Sequence, residues 1–146
     1  MKTSASGIAH IKEFEGFRGK RYLCPAGKWT IGYGHVIRDF ERLSLWNAEL
    51  TEEQATKLLA KDLAERFEPA VLEQVTVPLT QGQFDVLVSF AFNFGEAKLR
   101  SSTLLKLLNA GDYDGARKQI NRWVYSNGKK LEGLIRRRAR ETEMFQ

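Results

Sequence analysis

The chain has 146 residues, 42% of them hydrophobic, and a formal net charge of +5. This length can bury one continuous core, so we expect a single domain over residues 1–146, without a disulfide because Cys24 is the only cysteine. A lone cysteine suits a reducing compartment, and residues 1–14 lack the long apolar stretch of a signal peptide or a membrane span. The positive charge favours an anionic partner, which could be a nucleic acid, a membrane surface or the bacterial cell wall.

The first part of the chain predicts one helix followed by a β-hairpin. Ile8 and Ile11 recur at helical spacing, which predicts a short helix over residues 6–15 with a serine as its N-cap. Residues 17–34 are rich in Tyr, Trp, Thr and Ile, and several glycines interrupt them, as in short strands joined by a tight turn. We expect this to be the only β segment of the chain.

The rest of the sequence predicts helices. A capping box at Thr51 starts a long helix that we expect to be interrupted or kinked near Pro69. A second capping box at Thr80 starts a very apolar helix that we expect at the centre of the core. Further helices are predicted over residues 102–109, 113–125 and 131–145. The architecture is therefore α+β, with a small hairpin lobe over about 15–50 and a mainly helical larger lobe formed by 1–14 and about 51–146.

Glu15 is the strongest candidate for a chemical role. On a helical wheel it lies beside Ile8 and Ile11, whereas Glu13 lies on the opposite face. Burial and the negative end of the helix dipole both disfavour a carboxylate anion, so Glu15 would stay protonated, as a general acid requires. The alternative is that Glu15 merely pairs with an arginine.

A motif that begins at Glu15 narrows the choice. It consists of Glu15-Gly16, Tyr22, Cys24, Gly27 and the run Thr30-Ile31-Gly32-Tyr33-Gly34-His35. These residues and their spacing resemble the signature of the phage-type lysozymes, glycoside hydrolase family 24. The resemblance continues weakly through Thr51, Phe92-Asn93-Phe94-Gly95, Trp123 and residues 133–145, so it covers nearly the whole chain.

The resemblance implies a lysozyme-like fold, with the active-site cleft between the two lobes, and a role for each matching residue. Glu15 matches the proton donor, Cys24 a position held by Asp or Cys, and Thr30 a threonine that positions water or substrate. The residues expected to contact the sugar are Tyr33, Phe92 and Asn93. The residues expected to support the site are Arg137, which would reach back to the catalytic glutamate, and His35, which would pair with Asp62 on the connecting helix.

The predicted strand geometry agrees with the role of Thr30. Because side chains alternate along a strand, Thr30 and Gly34 lie on one face of the second strand and Tyr33 on the other. An inverting glycosidase needs an acid on one side of the sugar ring and an activated water on the other. The helix end at Glu15 and the hairpin face at Thr30 can supply these two sides.

Cys24 admits three interpretations. Its thiolate could accept a proton from water if a nearby cation, such as Arg21 or Lys28, lowers the thiol pKa. It could instead be a packed thiol without a chemical role. In the third interpretation the enzyme is a lytic transglycosylase, in which a hydroxyl of the substrate replaces water. We favour hydrolysis because Thr30 keeps the family's spacing, and a hydroxyl there is most useful for holding a water.

The leading hypothesis is an endolysin that hydrolyses the β-1,4 bond between N-acetylmuramic acid and N-acetylglucosamine in bacterial peptidoglycan. The rival is a basic nucleic-acid-binding module, because residues 136–140 include four arginines; we expect these to form a solvated helix face and expect no nucleic-acid partner. The sequence suggests no metal or organic cofactor, since it has neither a ligand cluster nor a phosphate-binding loop. We expect a monomer without stable membrane association, which the resemblance implies passes from the host cytoplasm to the cell wall through a separate pore protein.

Overall fold

The computed structural model describes residues 1–146, and most of them are helical. The nine α-helices are α1 (Ala5–Glu15), α2 (Arg42–Leu45), α3 (Glu52–Asp62), α4 (Glu68–Gln74), α5 (Gln81–Phe94), α6 (Glu96–Arg100), α7 (Thr103–Asn109), α8 (Tyr113–Gln119) and α9 (Glu132–Met144). The five strands are β1 (Arg18–Leu23), β2 (Trp29–Gly32), β3 (His35–Val36), β4 (Tyr125–Ser126) and β5 (Lys129–Lys130). Short 3₁₀ turns cover Asp39–Glu41 and Ile120–Arg122. None of the helices combines the length and the apolar character needed to cross a lipid bilayer.

The predicted hairpin is present directly after α1. β1 and β2 pair antiparallel with Tyr22 opposite Thr30, and β2 pairs antiparallel with β3 with Ile31 opposite His35. The register of the first pair shifts between Arg18 and Tyr22, as at a β-bulge. β2 packs on α3, and Ile31 is fully buried. One face of the hairpin is thereby fixed to α3, which leaves the other face for the groove described below.

The long helix predicted from the first capping box runs without a break from Glu52 to Gln74. The hydroxyl of Thr51 accepts a hydrogen bond from the backbone N–H of Gln54, as a capping box requires. The irregularity expected near Pro69 takes the form of a π-helical segment, Leu63–Phe67, and the proline lies in the first turn of α4. Proline lacks an N–H and clashes with the carbonyl four residues earlier, so a wider turn there accommodates it without ending the helix.

α5 lies at the centre of the core, as its apolar sequence predicts. Its residues 83–91 are all buried, and Phe84, Leu87 and Phe90 are completely inaccessible. The same core cluster takes Ile11 from α1 and Phe145 from the C-terminus. The first and last helices of the chain therefore both pack on α5 and meet beside it.

The segment after α8 differs from the prediction. We expected one helix over residues 113–125 and no second β segment, but α8 ends at Gln119, and β4 and β5 form a second hairpin. Its turn is Asn127-Gly128, with positive φ values of 51° and 76°, and this dipeptide is typical of type I′ hairpin turns. The helical spacing of apolar residues before this turn favours a helix, and the Asn-Gly turn signal ends that helix earlier than the spacing alone predicts.

Candidate active site

Glu15 is the last residue of α1, and its carboxylate has a defined orientation. Oε1 accepts a hydrogen bond from Nη1 of Arg137 at 2.9 Å. Oε2 faces Gly34, where an added Cβ would lie 3.4 Å from it. The Glu15 side chain is 21% exposed, whereas Glu13 lies exposed on the other side of the helix, as the helical wheel predicts. One oxygen of Glu15 is thus held by an arginine, and the other faces the groove.

A groove passes Glu15 between the hairpin and the end of α5. On the hairpin side, Glu15 shares a depression of about 420 Å³ with Cys24 and Thr30. On the helical side, Glu15 shares a depression of about 440 Å³ with Phe92 and Asn93. Glu15 therefore lies where the two depressions meet, with Cys24 and Thr30 on the hairpin side and Phe92 and Asn93 on the helical side.

Cys24 and Thr30 lie together near the turn of the hairpin. The backbone N–H of Lys28 is the largest influence on the pKa of the half-buried Cys24 thiol and lowers it. Burial acts against this, while the N–H of Ala26, the Thr30 hydroxyl and the charge of Lys28 lower the pKa further, so that the net direction is down. The Thr30 hydroxyl also donates to the carbonyl of Lys28 at 2.9 Å. Cys24 therefore forms a thiolate more readily than an ordinary cysteine, as a proton acceptor requires.

Arg21 does not act on Cys24, although the sequence made it a candidate. Its guanidinium lies over the ring of Trp46, 4.3 Å from the centroid, and 5.3 Å from the centroid of Trp29. It also donates to the carbonyl of Trp46. The nearby cation that does lower the thiol pKa is Lys28, mainly through its backbone.

His35 joins β3 to the long helix and to the 3₁₀ turn that follows the strand. Its Nδ1 lies 2.7 Å from Oδ2 of Asp62, and its Nε2 lies 3.0 Å from both carboxylate oxygens of Glu41. Burial lowers the pKa of His35, but the hydrogen bonds and charges of Asp62 and then Glu41 outweigh it, so the pKa is raised. The contact with Asp62 is the predicted one. Glu41 was missed because it comes from an irregular turn that carries no periodic signal.

Phe92 and Asn93 form the helical wall of the groove. The Phe92 ring packs on Phe67 with centroids 5.1 Å apart, and its edge approaches Gly34. Oδ1 of Asn93 accepts a hydrogen bond from Nη2 of Arg138 at 3.0 Å. This bond fixes the amide and leaves its NH₂ group as a donor for a ligand oxygen. The wall thus combines an apolar ring with one oriented hydrogen-bond donor.

Tyr33 does not line the groove, which differs from the position beside the sugar that we expected for it. It is 5% exposed and belongs to the core cluster, where its ring packs on Phe17 with centroids 5.7 Å apart. Burial raises the pKa of its phenol, and its hydroxyl interacts with Glu52 and Thr56 of α3. The same alternation that turns Thr30 toward the groove turns Tyr33 away from it. Its role is to attach the hairpin to α3.

The arginine-rich part of α9 is not the solvated face that we expected. Arg137 is 3% exposed and Arg138 is fully buried, whereas Arg136 is exposed. Both buried arginines lie against Glu141, which is itself fully buried, with Nε of Arg138 2.7 Å from its Oε1. The buried face of α9 carries charged residues, so no apolar stripe marks it in the sequence. The available signal was the spacing of three and four residues between these arginines and Glu141, at which opposite charges meet on a helix.

Comparison with protein families and curated proteins identifies relatives over the whole chain. Residues 12–141 match the Phage lysozyme family. The endolysin of Acyrthosiphon pisum secondary endosymbiont phage 1 is 43% identical over 151 residues, which cover 100% of this chain and 99% of that protein. The endolysin of Salmonella phage P22 is 36% identical, and the match covers 99% of this chain and 98% of that protein.

Solved structures agree with the sequence relatives. The muramidase domain of SpmX from Asticaccaulis excentricus superimposes with a TM-score of 0.87 at 40% identity, covering 99% of this chain and 97% of that one. A mutant of P22 lysozyme superimposes with a TM-score of 0.85 at 35% identity, covering 99% and 98%. These superpositions confirm the lysozyme-like fold. The chain therefore belongs to the phage lysozyme family and is a glycoside hydrolase of the lysozyme class.

Proposed function

We propose that the chain is an endolysin that hydrolyses the β-1,4 bond between N-acetylmuramic acid and N-acetylglucosamine, with Glu15 as the general acid. The observation that carries this proposal is the placement of Glu15 in the groove, with one oxygen on Arg137 and the other facing Gly34. Relatives named endolysin and a solved muramidase domain support bacterial peptidoglycan as the substrate. The groove would be the cleft between a small lobe over about 15–50 and the helical lobe formed by the other residues.

In this proposal Glu15 and Cys24 act on opposite faces of the sugar. Glu15 gives its proton to the glycosidic oxygen as the bond to the anomeric carbon breaks, and Arg137 stabilises the carboxylate that remains. A water held by the Thr30 hydroxyl attacks the anomeric carbon and gives its proton to the Cys24 thiolate. One water is consumed, the anomeric configuration inverts, and the product has a reducing end.

The other groove residues fit a carbohydrate substrate that carries peptides. The free NH₂ group of Asn93 can donate to an acetamido or hydroxyl oxygen, and Phe92 can pack on an apolar sugar face. Lys28, Arg38 and Arg66 line the same depression as Phe92 and Asn93. These cations would attract the carboxylates of the peptides attached to the glycan strand.

Two alternatives make different predictions. A lytic transglycosylase would give 1,6-anhydro products, and the lowered pKa of Cys24 favours hydrolysis because a poised proton acceptor serves the activation of water. A nucleic-acid-binding module would need an exposed basic surface, and burial of Arg137 and Arg138 removes two of the four arginines that suggested one.

The cellular route is a separate part of the proposal. The chain would act as a monomer, and it would reach the cell wall from the host cytoplasm through a separate pore protein rather than by stable membrane association. The free thiol of Cys24 supports synthesis in a reducing compartment. Lysis of cells that express the chain with and without a pore-forming partner tests the route, since expression alone should leave the cells intact.

The decisive experiment compares Glu15→Gln with Glu13→Gln on permeabilised Gram-negative cells. Glutamine keeps the shape and hydrogen bonding of Glu15 but has no proton to donate, so loss of turbidity should stop in Glu15→Gln while the fold is retained. Glu13 is exposed on the opposite side of α1, and its variant should match the parent. Retained lysis in Glu15→Gln would overturn the proposal.

A further inference from the structure

Behind the groove, α1, α5 and α9 enclose a polar cluster that the proposed mechanism does not use. Its centre is Glu141, which is fully buried. Oε2 of Glu141 accepts hydrogen bonds from Nε2 of His10 at 3.0 Å and from the Ser89 hydroxyl at 2.5 Å. Oε1 lies 2.7 Å from Nε of Arg138. A carboxylate is costly to bury, and these contacts together compensate its lost hydration.

One arm of the cluster leads to the general acid. Nε of Arg137 lies 3.6 Å from Oε2 of Glu141, and its Nη2 donates to the Ser89 hydroxyl at 3.1 Å. Nη1 of the same guanidinium donates to Glu15 at 2.9 Å. The planar group is thus held by hydrogen bonds at two nitrogens and by an ion-pair contact at the third, so its position relative to Glu15 depends on Ser89 and Glu141.

A second arm leads to the helical wall of the groove. The Arg138 guanidinium lies between Glu141 and Asn93, and it also contacts the ring of Phe94, 4.9 Å from the centroid. Burial lowers the pKa of Arg138 to about 10, with Glu141 acting against the shift and Arg137 adding to it. Arg138 stays cationic at neutral pH and orients the Asn93 amide through its oxygen.

We propose that Glu141 is a positioning residue that holds Glu15 through Arg137 and Asn93 through Arg138. The two guanidinium groups are balanced by the two carboxylates. Without the charge of Glu141, both cations would face Glu15 alone and would favour its ionised form, which cannot act as the acid. This inference rests on the proposed function, because it gives Glu15 the role of proton donor.

The arrangement is not explained by stability alone. Replacing buried ion pairs with apolar side chains of similar volume is often neutral or stabilising, so a cluster of this kind is weak evidence of a stabilising role. Here each arginine also donates a hydrogen bond to a groove residue, Arg137 to Glu15 and Arg138 to Asn93. Glu141 therefore fixes the positions of Glu15 and Asn93 relative to each other.

The test measures kcat, KM and the pH dependence of kcat/KM for Glu141→Gln, with Glu143→Gln, an exposed residue of the same helix, as the matched control. Besides the two buried arginines of α9, the charged or titratable groups that line the groove with Glu15 include Arg18, Tyr22 and Cys24, together with Lys28, His35 and Asp62, and all of them are unchanged in both variants. We expect Glu141→Gln to lower kcat on the order of 10- to 100-fold. The alkaline limb of the kcat/KM profile of Glu141→Gln should move to lower pH, while Glu143→Gln should keep the parental profile.

Ser89→Ala separates geometry from charge. It removes the hydroxyl that links Arg137 to Glu141 without changing the net charge, so kcat should fall while the alkaline limb stays in place. All variants are assayed below their unfolding temperatures. Parental kcat and pH profile in folded Glu141→Gln would overturn the inference; if that variant does not fold, parental kcat in Ser89→Ala overturns it. Activity in Glu15→Gln would instead refute the proposed function itself.

Discussion

Arg137 donates through Nη1 to Oε1 of Glu15 at 2.9 Å, so the last helix of the chain holds the final residue of the first. The contact holds one carboxylate oxygen in a fixed position, and it stabilises the carboxylate that forms once the proton has been given away. It also leaves Oε2 as the oxygen that faces the groove, which defines the side from which the proton must leave.

Arg137→Lys should lower kcat on the order of 10- to 100-fold with a smaller change in KM. An ammonium keeps the charge but lacks the planar fork that reaches Glu15 and Ser89 together, so Glu15 loses its orientation. The measurement is steady-state hydrolysis of purified peptidoglycan. Arg136→Lys is the matched control, because that neighbour is exposed and should tolerate the change. Parental kcat in Arg137→Lys would show that charge alone suffices.

Gly34→Ala should reduce both stability and turnover. Gly34 has a φ of +79°, and its added Cβ would lie 3.3 Å from Phe92 and 3.4 Å from Oε2 of Glu15. The left-handed backbone costs an alanine about 1–2 kcal/mol, and the new methyl group would press on the edge of the Phe92 ring and fill the space that Oε2 of Glu15 faces. We expect kcat to fall by about tenfold or more, because small displacements of a catalytic group are expensive.

The control for this effect is Gly128→Ala. Gly128 has a φ of +76° with open space around its Cβ position, in the hairpin that β4 and β5 form. It should lose a similar amount of unfolding free energy in urea titrations without losing kcat. Equal kcat in Gly34→Ala and Gly128→Ala would mean that the close approach of Gly34 to Glu15 does not affect turnover.

Local signals in the sequence predicted much of the fold. The first hairpin, the two capping boxes and the central position of α5 each depend on a short run of residues, and each is present. The second hairpin was missed even though Asn127-Gly128 signals it. Its strands have two residues each, too few to show an alternating pattern.

The sequence predicts the site residues that lie close together in one motif, and it does not predict those that only the tertiary fold brings together. Cys24 and Thr30 follow Glu15 in one motif, so their common location could be inferred. Glu141 lies 131 residues from His10, and nothing local relates the two. Tyr33 was misassigned because its place in the motif outweighed the strand alternation that turns it into the core.

His35→Gln should destabilise the fold more at low pH than at high pH. Burial lowers the pKa of His35, but Asp62 and Glu41 outweigh it and raise the pKa in the folded state above the ordinary histidine value of about 6.5. Its contribution is therefore complete below about 6.5 and is lost as the pH rises through the folded-state value. Charge-assisted hydrogen bonds of this kind contribute about 1.5–3 kcal/mol, so we expect a loss of that size at pH 5.5.

Chemical denaturation of the parent and the variant between pH 5.5 and 9 measures this difference. Turnover at temperatures where both are folded should change little, because both ring nitrogens of His35 already have carboxylate partners. A cycle with Asp62→Asn tests the partner, and the double variant should lose less than the sum of the single ones. A deficit that grows with pH would contradict the assignment.

Cys24 decides the reaction type, and three variants or measurements separate the possibilities. If the thiolate activates water, Cys24→Asp should remain active, because a carboxylate offers the same acceptor from a similar position. Its acid limb should move to lower pH, since an ordinary aspartate has a pKa near 3.9 and an ordinary cysteine one near 8.5. Cys24→Ser should lose about 10² to 10⁴ in rate, because its hydroxyl is a poor base at neutral pH.

Mass spectrometry of the released fragments gives the independent test. Hydrolysis adds one water at each cut and leaves reducing ends, whereas a transglycosylase leaves 1,6-anhydro ends that are lighter by one water. We expect reducing ends, because Thr30 and Cys24 share the groove face opposite Asn93, and the thiol pKa is lowered there. Dominant anhydro products together with an active Cys24→Ser variant would show that the substrate's own hydroxyl is the nucleophile. In that case Cys24 would only pack against the hairpin, and Thr30 would orient the sugar instead of a water.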